Sequence, residues 1–334
     1  MKSRYRLMIC IFCAAVAAVQ ALGADTRFAF VQYRVEKGNY SSETSFQADI
    51  ETLVSTAAGA GAECVVFPEY INVFLSLLPL ADELQGARSV DDGLGILHRR
   101  YGENTGLKDY FILQSPEVKR IMDRVWGGAA EKYRVWIVAG TAFIAEEDSQ
   151  AGAGLKTRQS LSSEQSEQSE PPRLHNQLSV YNPRGEVIYT QNKVYLTPFE
   201  KNILSLDAGL LEQAEICRIG NIECGLTICR DTFFDEWEDK FEKVDLWMDL
   251  KANGDIYDHE AVELFERALP ERVRQSGVKQ GATICLNGDF MELFWEGRSS
   301  VIKALSSGSG YEVVIEAAAP DEEEILFYTV EDEK

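Results

Sequence analysis

The chain has 334 residues, 45% hydrophobic and 26% charged, with 33 basic against 54 acidic side chains and a formal charge of −21. Such a composition excludes a wholly disordered chain, a collagen and a polytopic membrane protein, and the acidic excess argues against nucleic acid or an anionic membrane surface as a partner, since both need a positive face. Seven cysteines are too few to staple a chain of this length, so apolar packing must supply the core.

Residues 1–24 read as a targeting segment. Lys2, Arg4 and Arg6 make a basic start, Leu7 to Leu22 is apolar apart from Gln20, and Ala21, Gly23 and Ala24 precede Asp25. This is the order of a secretory signal peptide, with cleavage near Ala24. Sixteen apolar residues are short for a membrane anchor, and no basic stop follows. The expectation is an exported protein, periplasmic or secreted, without stable membrane association after cleavage. Losing Lys2, Arg4 and Arg6 with no acidic residue leaves 30 basic against 54 acidic, or −24. Cys10 and Cys13 leave too, so Cys64, Cys217, Cys224, Cys229 and Cys285 remain. An odd number in an exported protein leaves at least one thiol unpaired or paired between chains.

The mature chain opens with an apolar strand at Phe28 to Tyr33. Residues 43–60 then place Phe46, Ile50, Leu53, Val54 and Ala57 at helical spacing. Cys64-Val65-Val66-Phe67 is apolar throughout, as in a strand buried on both faces, and Pro68 stops it. A long polar and helical stretch, including 115–132, leads to a strand at Val135 to Thr141. Further strands are expected at 177–181, 186–190, 214–219, 222–228, 244–250, 281–286, 299–303, 312–317 and 324–330, with helices near 233–242 and 258–276. Alternation of this kind predicts one α/β domain over 25–334. Residues 146–173, rich in Ser, Glu, Gln and Gly, read as a disordered insertion within it.

Three residues could carry chemistry. Cys229 ends the apolar run of Cys224-Gly225-Leu226-Thr227-Ile228-Cys229-Arg230-Asp231 and meets polar residues at once. A thiol at a strand-to-helix turn sits near backbone N–H groups that favour a thiolate and hold an oxyanion, and the alternative is an inert packed cysteine. Glu69, two residues past the strand 64–67, is either a partly desolvated general base or a solvated loop acid. Lys193 follows the strand around Ile188 and either faces a developing oxyanion or lies on the surface.

In this order the three resemble the Glu–Lys–Cys triad of the carbon–nitrogen hydrolase family, the nitrilase superfamily. Phe67-Pro68-Glu69 is similar to its glutamate motif, and Lys193 to Phe199 to its lysine motif with Tyr195 in place of a histidine. Gly225 to Asp231 is similar to its cysteine motif, and Arg272 to Gly288 with Gly297-Arg298-Ser299-Ser300 to its later segments. The resemblance implies a four-layer αββα sandwich, a homodimer or higher homo-oligomer, and cleavage of a small amide or nitrile with neither metal nor organic cofactor. It makes Cys229 the nucleophile, Glu69 the general base and Lys193 the oxyanion partner, with Glu200 and Arg230 positioning substrate. The family's Asn-Pro-Ser-like stretch after the cysteine strand is replaced by Lys251-Ala252-Asn253-Gly254. A non-catalytic binding or scaffold protein on the same fold, or an amide-forming acyltransferase, are the rival readings.

His98, His175 and His259 lack metal-ligand spacing and read as surface residues. Ile216 to Ile228 reads as a hairpin turning at Gly220-Asn221, which sets Cys217 opposite Cys224 with Cα atoms about 5.5 Å apart. The pair is either bridged or two packed thiols.

Overall fold

The computed structural model describes residues 25–146, 172–305 and 310–331. The expected leader and nearly all of the expected insertion lie outside the described residues. Among the described residues no helix is long and apolar enough to cross a membrane.

Two six-stranded sheets form the centre. The first runs β5 (Val187–Asn192), β4 (Leu174–Tyr181), β3 (Trp136–Ala145), β2 (Cys64–Phe67), β1 (Thr26–Val35) and β13 (Glu324–Val330). The second runs β6 (Cys217–Ile219), β7 (Ile222–Ile228), β8 (Leu246–Lys251), β9 (Gln280–Phe290), β11 (Ser300–Ala304) and β12 (Tyr311–Glu316). They meet where the end of β1, Tyr33 to Val35, pairs in parallel with Leu286 to Gly288 of β9. The three-residue β10 (Leu293–Trp295) folds back on β9.

Alternation along the strands makes the layers. In β2, Cys64 and Val66 point between the sheets while Val65 and Phe67 point outward. Phe28, Phe30, Leu178 and Val180 of the first sheet meet Leu226, Ile228, Met248 and Ile284 of the second in one buried cluster. Outside the first sheet, Val65 and Phe67 pack on Phe46, Ile50 and Val54 of α1 (Glu43–Gly59) and on Ile121 and Trp126. That second helical face is α4 (Leu107–Met122), which passes through a π-turn at Asp123–Gly127 into α5 (Gly128–Tyr133). Outside the second sheet, Trp247 packs on Trp237 and Phe241 of α7 (Glu236–Phe241) and on Leu269 and Val273 of α9 (Leu269–Gln275). Helix, sheet, sheet and helix stack in the αββα order that the resemblance implies.

Between β2 and α4 the chain makes a 3-10 turn (Val73–Leu80), a short α2 (Ala81–Leu84) and α3 (Val90–Tyr101). Ser89 caps α3 through a reciprocal box with Asp92. The remaining α-helices among the described residues are α6 (Pro198–Asn202) and α8 (His259–Glu266).

One expectation is corrected. His175 is not on the surface: on β4 it is 2% exposed, with Nδ1 2.8 Å from the Asp207 carbonyl oxygen and Nε2 3.0 Å from Glu146 Oε1. The polar residues around it in sequence hide its place on a central strand. His259 is exposed as expected and His98 is half-buried. The hairpin register places Cys217 opposite Cys224, and both are free, buried thiols.

Candidate active site

Glu69, Lys193 and Cys229 each stand just beyond the carboxyl end of a strand, β2, β5 and β7 respectively. Glu69 is fixed by its neighbours on both sides. A bulge in β3 between Val138 and Thr141 contains Gly140 at φ +67°, and a Cβ there would come 2.1 Å from the Pro68 carbonyl oxygen. Only glycine allows that approach, which brings Thr141 up to the Glu69 turn: the Tyr70 N–H donates to Thr141 Oγ1 (2.8 Å) and the Asn72 N–H to the Thr141 carbonyl (3.1 Å). Tyr70 itself turns at φ +66°.

The carboxylate of Glu69 is fully buried and has three donors. Oε1 accepts from Lys193 Nζ (2.8 Å) and Asn176 Nδ2 (2.8 Å), and Oε2 accepts from the Ala252 N–H (3.1 Å). Glu200 lies on the far side of the same ammonium. Its Oε1 accepts from Lys193 Nζ (3.0 Å), Asn176 Nδ2 (2.9 Å) and the Tyr70 hydroxyl (2.8 Å), while its Oε2 accepts from the Thr197 N–H (2.8 Å). Lys193 thus sits between two carboxylates, 2.8 Å from Glu69 and 2.9 Å from Glu200 Oε2, with essentially no solvent exposure.

Asn176 joins these parts and escaped the sequence reading. It occupies β4 on the face that also carries Leu178 and Val180, so an amide at an apolar position was the signal available. Its carbonyl accepts the Lys193 N–H (2.8 Å) while its amide group bridges both carboxylates. The spacing Thr197-Pro198-Phe199-Glu200 was a second signal. It forms a capping box with proline at the first turn of α6, and the box holds Glu200 aimed inward.

Cys229 opens a 3-10 turn (Cys229–Phe233) and adopts φ +50°, a left-handed conformation that costs a non-glycine residue on the order of 1–3 kcal/mol. Asp231 holds that turn. Its Oδ2 accepts the Ile228 N–H (3.2 Å), and its Oδ1 accepts the N–H groups of Val194 (3.1 Å) and Tyr195 (2.8 Å). One buried carboxylate therefore ties the cysteine turn to the lysine loop. Gly225, four residues upstream, serves packing: a Cβ there would meet the Phe241 ring at 2.7 Å. The Cys229 thiol points at the Ala252 carbonyl oxygen, 3.9 Å away, and the N–H of the same Ala252 binds Glu69. Acid and thiol are thereby set on two sides of one residue.

The electrostatics follow from burial and mutual charge. Burial pushes the Glu69 carboxyl up to about 7; Lys193 pulls it down and Glu200 pushes it up. Burial also works against charge on Glu200, but Lys193 and the surrounding donors hold it below the usual carboxylate range. Burial opposes the Lys193 ammonium, and the charges of Glu69, Cys229 and Glu200 overcome it and raise its pKa. Cys229 lies deep, though part of the residue remains accessible. Burial pushes its thiol up to about 12, with Glu69 adding to the shift and Lys193 and Lys251 opposing it. A protonated thiol thus stands beside a carboxylate that titrates near neutrality.

The departure at 251–254 is structured. Lys251 is buried and pairs with Asp249 (2.9 Å), its ammonium over the rings of Phe233 (5.3 Å) and Phe265 (5.0 Å). Arg230 is not drawn into the cluster. Its guanidinium lies over the Phe234 ring at 5.8 Å and lines a separate depression with Tyr195 and Lys201. Among the described residues no group of three or more His, Cys, Asp or Glu side chains is disposed to hold a metal ion.

A family model described as carbon-nitrogen hydrolase matches residues 27–237. Similar solved structures include a carbon-nitrogen hydrolase from Helicobacter pylori G27 (TM-score 0.59, 15% identity, covering 91% of this chain and 88% of that one). A double mutant of the amidase from Nesterenkonia sp. AN1 in complex with acrylamide is another (TM-score 0.57, 15% identity, 92% and 91%). A third is a mutant of that amidase showing covalent addition of the acetamide moiety of fluoroacetamide at the active site cysteine (TM-score 0.57, 15% identity, 93% and 91%). No curated protein sequence is significantly similar.

Proposed function

The chain belongs to the carbon–nitrogen hydrolase family, and on that premise we propose that it cleaves the non-peptide carbon–nitrogen bond of an amide through a thioester on Cys229. The observation that carries this reading is the buried cluster in which one ammonium, Lys193, is shared by Glu69 and Glu200 while Ala252 links Glu69 to the Cys229 thiol.

Glu69 takes the thiol proton as sulfur attacks the carbonyl carbon. A carboxyl titrating near neutrality suits that task, because it is ionised often enough to accept the proton and acidic enough to return it. The carbonyl oxygen becomes an oxyanion, stabilised by the Lys193 ammonium and by the backbone N–H of Arg230. Removing one donor of this kind typically costs about 10²–10³ in rate. When the tetrahedral centre collapses, the carbon–nitrogen bond breaks and the proton on Glu69 passes to the departing nitrogen. Glu69 then takes a proton from water, hydroxide adds to the thioester, and the acid leaves as sulfur recovers its proton. Glu200 keeps Lys193 charged and aimed. This is a positioning role, since Glu200 reaches the reacting atoms only through Lys193.

The test is incubation with a panel of small amides and nitriles, following ammonia and the intact mass of the protein. Ammonia release or an acyl adduct, both lost in Cys229→Ala, is expected. Activity that survives Cys229→Ala refutes the mechanism.

A further inference from the structure

An apolar cavity of about 230 Å³ adjoins the cluster on the far side of Tyr70. Neither Glu69, Lys193 nor Cys229 lines it, but Tyr70 belongs to both the cavity and the site. Tyr70 lines the cavity with its ring while its hydroxyl binds Glu200 (2.8 Å), and Lys193 Nζ stands 5.9 Å from the same ring. Ala252, which touches both Glu69 and Cys229, packs in the same apolar cluster as Phe74, Phe290 and Trp295 of the cavity wall. Leu77 and Leu80 of the 3-10 turn and residues of α3 build further walls, and the cavity reaches the surface at Phe199 and Ile203, which are exposed.

The chemistry of the walls excludes polar guests. Both tyrosine hydroxyls at the wall are already engaged, Tyr70 with Glu200 and Tyr110 with the Ser76 carbonyl (2.7 Å). Among the described residues no charged side chain lines the space. A charged or hydrogen-bonding group there would lose its water without a partner, at a cost of about 1–3 kcal/mol or more. The volume sets the size. At about 30 Å³ for each water-sized group, the cavity holds about eight non-hydrogen atoms.

We propose that this cavity receives the acyl chain of the substrate, so that the amide cleaved is that of an apolar acid with about eight carbons beyond the carboxyl carbon. The assignment rests on the amidase reading of Cys229. It gives the carbonyl a fixed place at the cluster, with the chain running past Tyr70 and away from Lys193.

The test is a series of unbranched primary carboxamides from acetamide to dodecanamide, given to the full chain with ammonia as readout. kcat/KM is expected to rise about fourfold for each added CH₂ until the chain reaches about eight carbons beyond the carboxyl carbon, then to level or fall. Leu94→Trp, at a half-buried position of α3 on the wall, should move that optimum to shorter chains, with Val90→Phe as a second variant should the first not fold. Binding of the same series to Cys229→Ala, measured by calorimetry, reads the cavity without turnover. A flat series, a maximum at acetamide, or equal affinity of Cys229→Ala for acetamide and octanamide overturns the proposal. Cys229-dependent turnover with no chain-length preference leaves the amidase reading standing while this assignment falls. Preferential binding of octanamide without turnover of any amide supports the cavity and removes the amidase reading.

Discussion

Replacing Glu200 by glutamine removes one of the two negative charges facing Lys193 and keeps the shape of the side chain. Glu69 Oε1 and Glu200 Oε1 accept from the same Asn176 Nδ2 at 2.8 and 2.9 Å, so the two oxygens lie within about 5.7 Å of one another. At that separation and an effective dielectric of about 20, their repulsion is about 3 kcal/mol, or about two pH units on the Glu69 carboxyl. Glu69 must be ionised to accept the thiol proton, so kcat/KM rises as pH climbs through its pKa. The acid limb of the wild type is expected at about pH 7. With Glu200 neutral, the Lys193 charge acts on Glu69 unopposed, and the limb of Glu200→Gln falls about two units lower. kcat falls as well, because the new amide group meets donors from Lys193, Tyr70 or Thr197 where an acceptor is needed. The assay is ammonia release across the acid and neutral range, with thermal melts to show that the variant is folded. A folded variant whose acid limb has not moved refutes the coupling.

Three more outcomes are expected. Gly225→Ala forces a methyl against the Phe241 ring and should destabilise the protein by about 1–3 kcal/mol, read as a lower urea midpoint. Asp231→Asn sets an amide group against one of three backbone N–H donors; loosening of the Cys229 turn and the Lys193 loop should then lower kcat by about 10- to 100-fold, and an unchanged kcat would show that the tie is unnecessary. In protein beginning at Asp25, one thiol, Cys229, should react with a small reagent in the native state and five after unfolding without reductant; three after unfolding would mean that Cys217 and Cys224 are bridged.

Much of the architecture was legible because local pattern and tertiary role agree. An all-apolar, largely β-branched run at Cys64 to Phe67, stopped by Pro68, fits a strand covered on both sides, and the period of Phe46, Ile50 and Val54 leaves one helical face to bury. The site was legible only in part. Cys229, Glu69 and Lys193 announce themselves by standing just past strands, whereas Asn176 lies inside one and owes its role to residues distant in sequence. His175 was misplaced for the same reason: its partners Asp207 and Glu146 lie 32 and 29 residues away. Helix α3 falls within the expected helical stretch, but Gly93 and Gly95 dilute its apolar stripe and leave it without bounds, and β10, at three residues, is too short to carry a period. β9 runs four residues beyond its expected end at Leu286, since its last residues pair with β1 and β10 rather than continuing an apolar run.

The pairing of the first strand has a consequence for how the molecule is made. Thr26 to Gln32 align with Val330 to Glu324, and Tyr33 to Val35 with Leu286 to Gly288, so the earliest strand finds partners about 250 to 300 residues later. Contacts of such long range slow the folding search, because the intervening loop must close before any pairing rewards it. On the ribosome, β1 can pair early on one edge alone, Phe28 to Phe30 against Cys64 to Val66 of β2, and its other edge waits open until nearly the whole chain has emerged. The two sheets cannot be joined before then, and a chain stopped short of β13 would leave Phe28 and Phe30 beside an open edge that invites association with a second unfinished copy.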